Sequence, residues 1–130
     1  MGRRMLPLVI FVGAGIGGVA RYAVGSWVHA STGPAFPWGT LLINVIGSFL
    51  LMLTYGVLEG TAAAPEWRAF LGIGVLGGFT TFSAFSYETV RLMQDGEWER
   101  AAVYVLASVL LSVAAAIVGF GVASMLFRRG

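Results

Sequence analysis

The chain has 130 residues, of which 58% are hydrophobic and only 11% are charged, with a net charge of +2. A soluble domain usually carries about a quarter charged residues, so this composition excludes an ordinary soluble fold. The small, scattered positive charge does not suit a nucleic-acid surface, and the lack of cysteine excludes disulfides, a thiol nucleophile and a thiolate metal site.

Long apolar stretches predict an all-α integral membrane protein with four transmembrane helices and almost nothing outside the bilayer. About 20 apolar residues are needed to cross a membrane, and each stretch is long enough. The arginines lie on both sides of the predicted spans, and their count gives a weak bias toward both termini inside. The same count would also suit a protein that inserts in both orientations. The chain is predicted to be a single domain, residues 1–130. Its spans are predicted at about residues 5–29, 38–59, 67–94 and 98–127.

Span 1 contains glycines spaced for close helix packing and one charge inside the apolar run. Gly13 and Gly17 form a GxxxG face where another helix backbone can approach. The same run, GAGIGGVARY, matches a dinucleotide-binding GxGxxG, but that motif needs an acidic residue roughly 20 positions on, and the first carboxylate here is Glu59. Arg21 is either an arginine that reaches the interface or a structural or vestibule charge.

Span 2 places Thr40, Asn44 and Ser48 four residues apart, on one helical face. Three polar groups in register favour a wet face. The alternative is that an isolated Asn44 simply joins two helices by hydrogen bonds.

Span 3 contains the stretch GGFTTFSAFSYE, residues 77–88, which is not built like a lipid-facing helix. Gly77 and Gly78 weaken a helix, and Thr80 and Thr81 can bond to backbone carbonyls and bend it. We therefore predict a break near Gly77–Thr81. Free backbone polar groups are costly in lipid, so the break has to be enclosed by protein or line a wet cavity.

The second half of this stretch combines phenylalanines at three-residue spacing with hydroxyls. Ring edges are electropositive, so the edges of Phe79, Phe82 and Phe85 can meet a small anion without trapping it. The alternative is plain core packing. Glu88 lies one turn further on, either as a helix partner of Arg91 or as a carboxylate at a pore mouth or in a proton-coupled site.

Span 4 repeats the four-residue spacing with Tyr104, Ser108 and Ser112. This predicts one stripe of uncharged hydroxyl donors that an anion can follow. The alternative is that these serines bond back to their own helix.

These motifs resemble the Fluc or CrcB-type fluoride channels over nearly the whole chain. The resemblance depends on GAGIGGVARY, on WGTLLINVIGSFL in span 2, on the span 3 motif and on the hydroxyl face of span 4. It implies a passive fluoride channel in the plasma membrane that confers fluoride resistance, built as an antiparallel, dual-topology homodimer with two pores. The family commonly has threonine where this motif has Ala84, which removes one hydroxyl from the path.

The resemblance also implies roles for individual residues. A structural sodium ion on the dimer axis would be held by the backbone carbonyls of Gly77 and Thr80. Arg21 and Glu88 are candidate vestibule or structural charges from the residues themselves. The pore-lining residues it implies are Asn44, Phe82, Ser83, Phe85, Tyr104, Ser108 and Ser112.

Two other functions remain open from the residues alone. A proton-coupled small multidrug transporter is also built from four short spans, but it needs a carboxylate deep in span 1, and this span has none. A membrane scaffold without transport would use the glycine faces and polar stripes for assembly only. An enzyme is not expected, because the sequence has no cluster of histidine or cysteine and no pair of intramembrane carboxylates.

Overall fold

The computed structural model describes residues 2–127 and is helical throughout, with short connections. Four helices are long and apolar enough to cross a membrane, as predicted. Their bounds lie within a few residues of those expected from the sequence. We call them span 1 to span 4, and they are Arg3–Thr32, Trp38–Gly60, Pro65–Gln94 and Trp98–Phe127.

The first connection shows why the spans end where they do. Gly33, at φ 78°, takes the left-handed backbone that ends span 1, and its N–H donates to the carbonyl of His29 at 2.8 Å. Pro34 and Pro37 then prevent the helix from continuing. Short connections of this kind force consecutive spans to run antiparallel to each other.

Close approach between span 1 and the first half of span 3 depends on the predicted glycine face. A Cβ atom on Gly13 would lie 2.6 Å from the carbonyl oxygen of Phe70, and one on Gly17 would collide with the carbonyl oxygen of Val75. The two backbones therefore pack in direct contact. This confirms the close-packing role predicted for Gly13 and Gly17.

Span 3 is the irregular one. It begins as α-helix at Pro65–Trp67, widens into π-helical turns over Arg68–Leu76 and returns to α-helix at Gly77–Phe79. Thr80 and Thr81 are extended, and a new α-helix then runs over Phe82–Gln94. The predicted break is present, but it is confined to the two threonines.

The glycines before the break have a different role from the one expected. Gly77 and Gly78 remain helical, so they do not themselves open the helix. Gly78 instead allows contact with span 1, because a Cβ there would lie 2.5 Å from the carbonyl oxygen of Ala14. The wide turns over Arg68–Leu76 were not predicted from the sequence.

The interior of the bundle lies where spans 2 and 4 meet the second half of span 3. Its buried cluster contains Leu41, Phe85, Leu92, Ala101 and Tyr104. Much of the remaining apolar surface points outward, as a bilayer requires and water would not tolerate.

Candidate functional site

A groove of about 500 Å³ opens beside the helix break, between spans 2, 3 and 4. It gathers most of the side chains predicted to line a pore, together with both residues predicted to bind a cation. Ser48 also lines it. The predicted residues found there are Asn44, Gly77, Thr80, Phe82, Phe85, Ser108 and Ser112.

Both polar atoms of the Asn44 side-chain amide form hydrogen bonds with the helix break. Its Oδ1 accepts the N–H of Thr81 at 2.8 Å, and its Nδ2 donates to the carbonyl of the same residue at 2.9 Å. Span 2 lies close to the break here, since a Cβ on Gly47 would collide with the methyl group of Thr80. Asn44 therefore joins spans 2 and 3 by hydrogen bonds, as the alternative interpretation of this residue held, and it also lines the groove.

The hydroxyl of Thr81 starts the second half of span 3. Its Oγ1 accepts the N–H of Ala84 at 3.1 Å, which is the usual N-cap bond of a threonine. The hydroxyl of Ser83 lies 3.2 Å from that of Thr81. Ser83 is exposed and does not line the groove, so the structure separates it from the other predicted pore residues.

The break also frees backbone carbonyls. In a continuous helix the carbonyls of Gly77 and Thr80 would accept from the N–H groups of Thr81 and Ala84. Those two N–H groups are directed instead to Asn44 and to the Thr81 hydroxyl. Two carbonyl oxygens, both on residues that line the groove, therefore lack their helical donors.

Arg21 lies against the same segment. Its Nε donates to the carbonyl of Gly78 at 3.2 Å, and the residue is half-buried. This hydrogen bond joins Arg21 to the end of the first half of span 3.

Two buried hydroxyls in the groove have no partner among residues 2–127. These are Ser108 and Ser112 on span 4. Other helical serines do bond back to their own helix: Ser86 to the carbonyl of Phe82 at 3.0 Å, and Ser124 to that of Phe120 at 2.9 Å. A buried polar group left unpaired costs about 1–3 kcal/mol, so two neighbouring ones on one face point to a ligand.

The two phenylalanines form one wall of the groove. The ring centroids of Phe82 and Phe85 are 5.4 Å apart, with a tilt of 48° between the ring planes. Phe85 is 9% exposed, whereas Phe82 is 78% exposed. One ring is therefore packed into the protein and the other stands free at the rim.

Tyr104 and Glu88 form a separate polar cluster next to the groove. The Tyr104 hydroxyl donates to Glu88 Oε2 at 2.6 Å, and Thr40 Oγ1 donates to Glu88 Oε1 at 2.7 Å. No ion pair joins Glu88 to Arg91 in the described part of the chain, so the alternative in which Glu88 is a helix partner of Arg91 is wrong. The reason is that both hydroxyls reach the carboxylate from other spans.

A second cavity of about 540 Å³ lies on the far side of this cluster. It is lined by Thr40 and Glu88, and also by His29, Arg91 and Asp95 near the helix ends. Tyr104 is fully buried, one turn of span 4 from Ser108. A line of hydroxyls and one carboxylate thus connects the groove to this cavity.

Three polar residues of this arrangement were missing from the sequence-based site. Thr40 holds Glu88, Ser48 lines the groove and Thr81 caps the second half of span 3. The four-residue spacing of Thr40, Asn44 and Ser48 was a usable signal for the first two. No local pattern distinguishes Thr81 from Thr80.

Comparison with known proteins places these features in a family context. The family model described as "CrcB-like protein, Camphor Resistance (CrcB)" matches residues 8–120. A relative from Thermus thermophilus, named "Fluoride-specific ion channel FluC", is 47% identical over 114 residues, which cover 87% of this chain and 89% of the relative. Relatives with the same name from Rhizobium meliloti and Geobacter sulfurreducens are 48% and 52% identical, covering 85% and 80% of this chain and 91% and 85% of theirs.

Proposed function

Because the chain belongs to the CrcB-like protein family, we propose that it is a fluoride-selective ion channel of the plasma membrane that passively exports fluoride. The observation that carries this proposal is the pair of buried, unpartnered hydroxyls of Ser108 and Ser112 beside two phenylalanine rings. These groups offer donors and ring edges without a full positive charge. A transporting membrane protein, rather than an enzyme, is the function that fits them.

The chemistry of fluoride explains why such a path suits it. The ion holds its water tightly, so a pore has to replace that hydration with many donors, none strong enough to hold it. Hydroxyl groups and one amide can do this in sequence, and the edges of Phe82 and Phe85 are electropositive. A narrow bore would then exclude larger anions.

The path we propose follows the contacts described above. An ion enters beside Asn44, passes Phe82 and Phe85 and moves along Ser112 and Ser108. From there Tyr104, with Thr40 and Glu88, leads to the second cavity. Both hydroxyls now donate to the carboxylate, so their O–H groups have to turn toward the ion as it passes.

The proposed working unit is an antiparallel, dual-topology homodimer with two pores. Phe82 is 78% exposed, and Gly77 and Ser83 are exposed on the same broken segment. A second copy seated on this face would close the open side of the groove. Ser83 would then contribute to the pore from a surface that one chain leaves uncovered.

A sodium ion is proposed on the dimer axis. Carbonyl oxygens are the ligands that hard cations prefer, and those of Gly77 and Thr80 lack their helical donors. No group of three or more acidic or histidine side chains competes for a metal in residues 2–127. Two copies would supply four carbonyls, and the ion would supply a fixed positive charge that joins the two breaks.

Fluoride efflux from proteoliposomes, followed with a fluoride-selective electrode and compared with chloride, tests the proposal. We expect fluoride to leave down its gradient without any pH gradient, and chloride to be retained. Efflux that requires a pH gradient would instead indicate a proton-coupled transporter. No movement of either ion would indicate a scaffold, and both results would overturn the proposal.

A further inference from the structure

We infer that the side-chain amide of Asn44 holds the helix break in its extended conformation. This backbone conformation in turn sets the positions of the rings of Phe82 and Phe85. The role for fluoride rests on the function proposed above. The clamp itself is a property of the folded backbone and can be measured without any ion.

The geometry at Thr81 carries the inference. Its backbone is extended, at φ −151° and ψ 121°, so its N–H and carbonyl lie outside any helical ladder. Leaving such groups unpaired at membrane depth is costly. Asn44 satisfies both, at 2.8 and 2.9 Å, as the backbone of a neighbouring strand would.

The chemistry of the side chain is specific. Only a group with an acceptor and a donor side by side can bond to both the N–H and the carbonyl of one residue. Asparagine has both, an ionised aspartate has only acceptors, and alanine has neither. Asn44 is the only asparagine in the chain.

The clamp is connected directly to the rings. Thr81 also caps the following helix through Ala84, so its conformation sets the direction in which that helix begins. Phe82 is the next residue, and Phe85 lies one turn later. The amide nitrogen has a second hydrogen that is not used by Thr81, so it can contact an anion in the groove while the clamp stays closed.

Amide hydrogen exchange at Thr81 tests the clamp, measured by NMR on threonine-labelled protein without fluoride. In the unchanged protein we expect Thr81 to be protected although it lies outside a helix. In Asn44→Ala its exchange should accelerate roughly tenfold, the factor that one lost hydrogen bond provides. Thr80 is the internal control, because its N–H donates to the Leu76 carbonyl, a bond that Asn44 does not touch.

The variant Asn44→Asp separates the clamp from general damage to the fold. It keeps an acceptor for the Thr81 N–H, so protection should be retained there and lost only in Asn44→Ala. Equal exchange of Thr81 in the unchanged protein and in Asn44→Ala would overturn the inference. If Asn44→Ala does not fold, rapid exchange of Thr81 in the unchanged protein would overturn it equally.

Efflux from the same preparations distinguishes this inference from the proposed function. If the unchanged protein passes no fluoride, the proposed function fails, whatever the exchange rates are. If Asn44→Ala stops efflux while Thr81 stays protected, Asn44 acts on the ion alone and the clamp is refuted.

Discussion

Replacing Ser108 with alanine should slow fluoride movement and yet leave the protein as stable as before, or more so. The hydroxyl of Ser108 is buried and has no partner within residues 2–127, so it stabilises nothing in the resting fold. Removing an unpaired buried hydroxyl relieves a penalty of about 1–3 kcal/mol. Most substitutions in a transport path do not have this combination of effects.

The size of the functional loss follows from the missing contact. A hydrogen bond to a charged group contributes about 1.5–3 kcal/mol, and each 1.36 kcal/mol on a barrier is about tenfold in rate. If the whole loss falls on the highest barrier, efflux should slow by roughly 10- to 150-fold. A smaller decrease would mean that the contact also stabilises the ion before the barrier.

Initial efflux rates from proteoliposomes at equal protein content measure the first effect, and the thermal unfolding midpoint in one detergent measures the second. Ser124→Ala is the matched control, because this serine lies on the same span but donates to the carbonyl of Phe120. It should leave efflux unchanged. Unaltered efflux in Ser108→Ala, or a lower unfolding midpoint, would refute the reasoning.

Three further predictions test other parts of the site. Phe82→Ile should slow fluoride efflux several-fold, because it removes a ring edge from the path. Phe120→Ile, at another exposed phenylalanine, should leave efflux unchanged. Efflux from Phe82→Ile as fast as from the unchanged protein would remove Phe82 from the path. Gly17→Ala should lower the free energy of unfolding by about 1–3 kcal/mol, because its methyl group meets the span 3 backbone. Gly15→Ala is the control, because a Cβ atom there meets nothing within 4 Å. Thermal unfolding of the two variants compares them. Exchange of sodium for N-methyl-D-glucamine should abolish efflux until sodium is restored, and a rate indifferent to the cation would count against the proposed sodium site.

The exposed faces of the chain agree with these proposals in one respect. Large apolar side chains cover much of the outer surface, including Phe11 at 74% and Leu110 at 64% exposure. Lipid can cover such apolar side chains everywhere around the bundle. It cannot form hydrogen bonds with the hydroxyls at the base of the groove, so the groove, rather than the apolar surface, indicates function.

The sequence by itself determined the four spans and the residues that share a face. Transfer of a segment into lipid depends on its length and composition, which are local properties. The spacing of Ser108 and Ser112, and of Asn44 and Ser48, also follows from the helix repeat alone. These features could be predicted before any contact between spans was known.

Only the tertiary structure decided how those faces are used. Asn44 meets Thr81, 37 positions away, and Thr40 meets Glu88, 48 positions away. These contacts place the break at two threonines rather than at the glycines, and they give Glu88 partners on other spans instead of Arg91 on its own helix. No periodic pattern encodes them, because each depends on how separate helices pack, and that packing is fixed by backbone contacts such as those of Gly13 and Gly17.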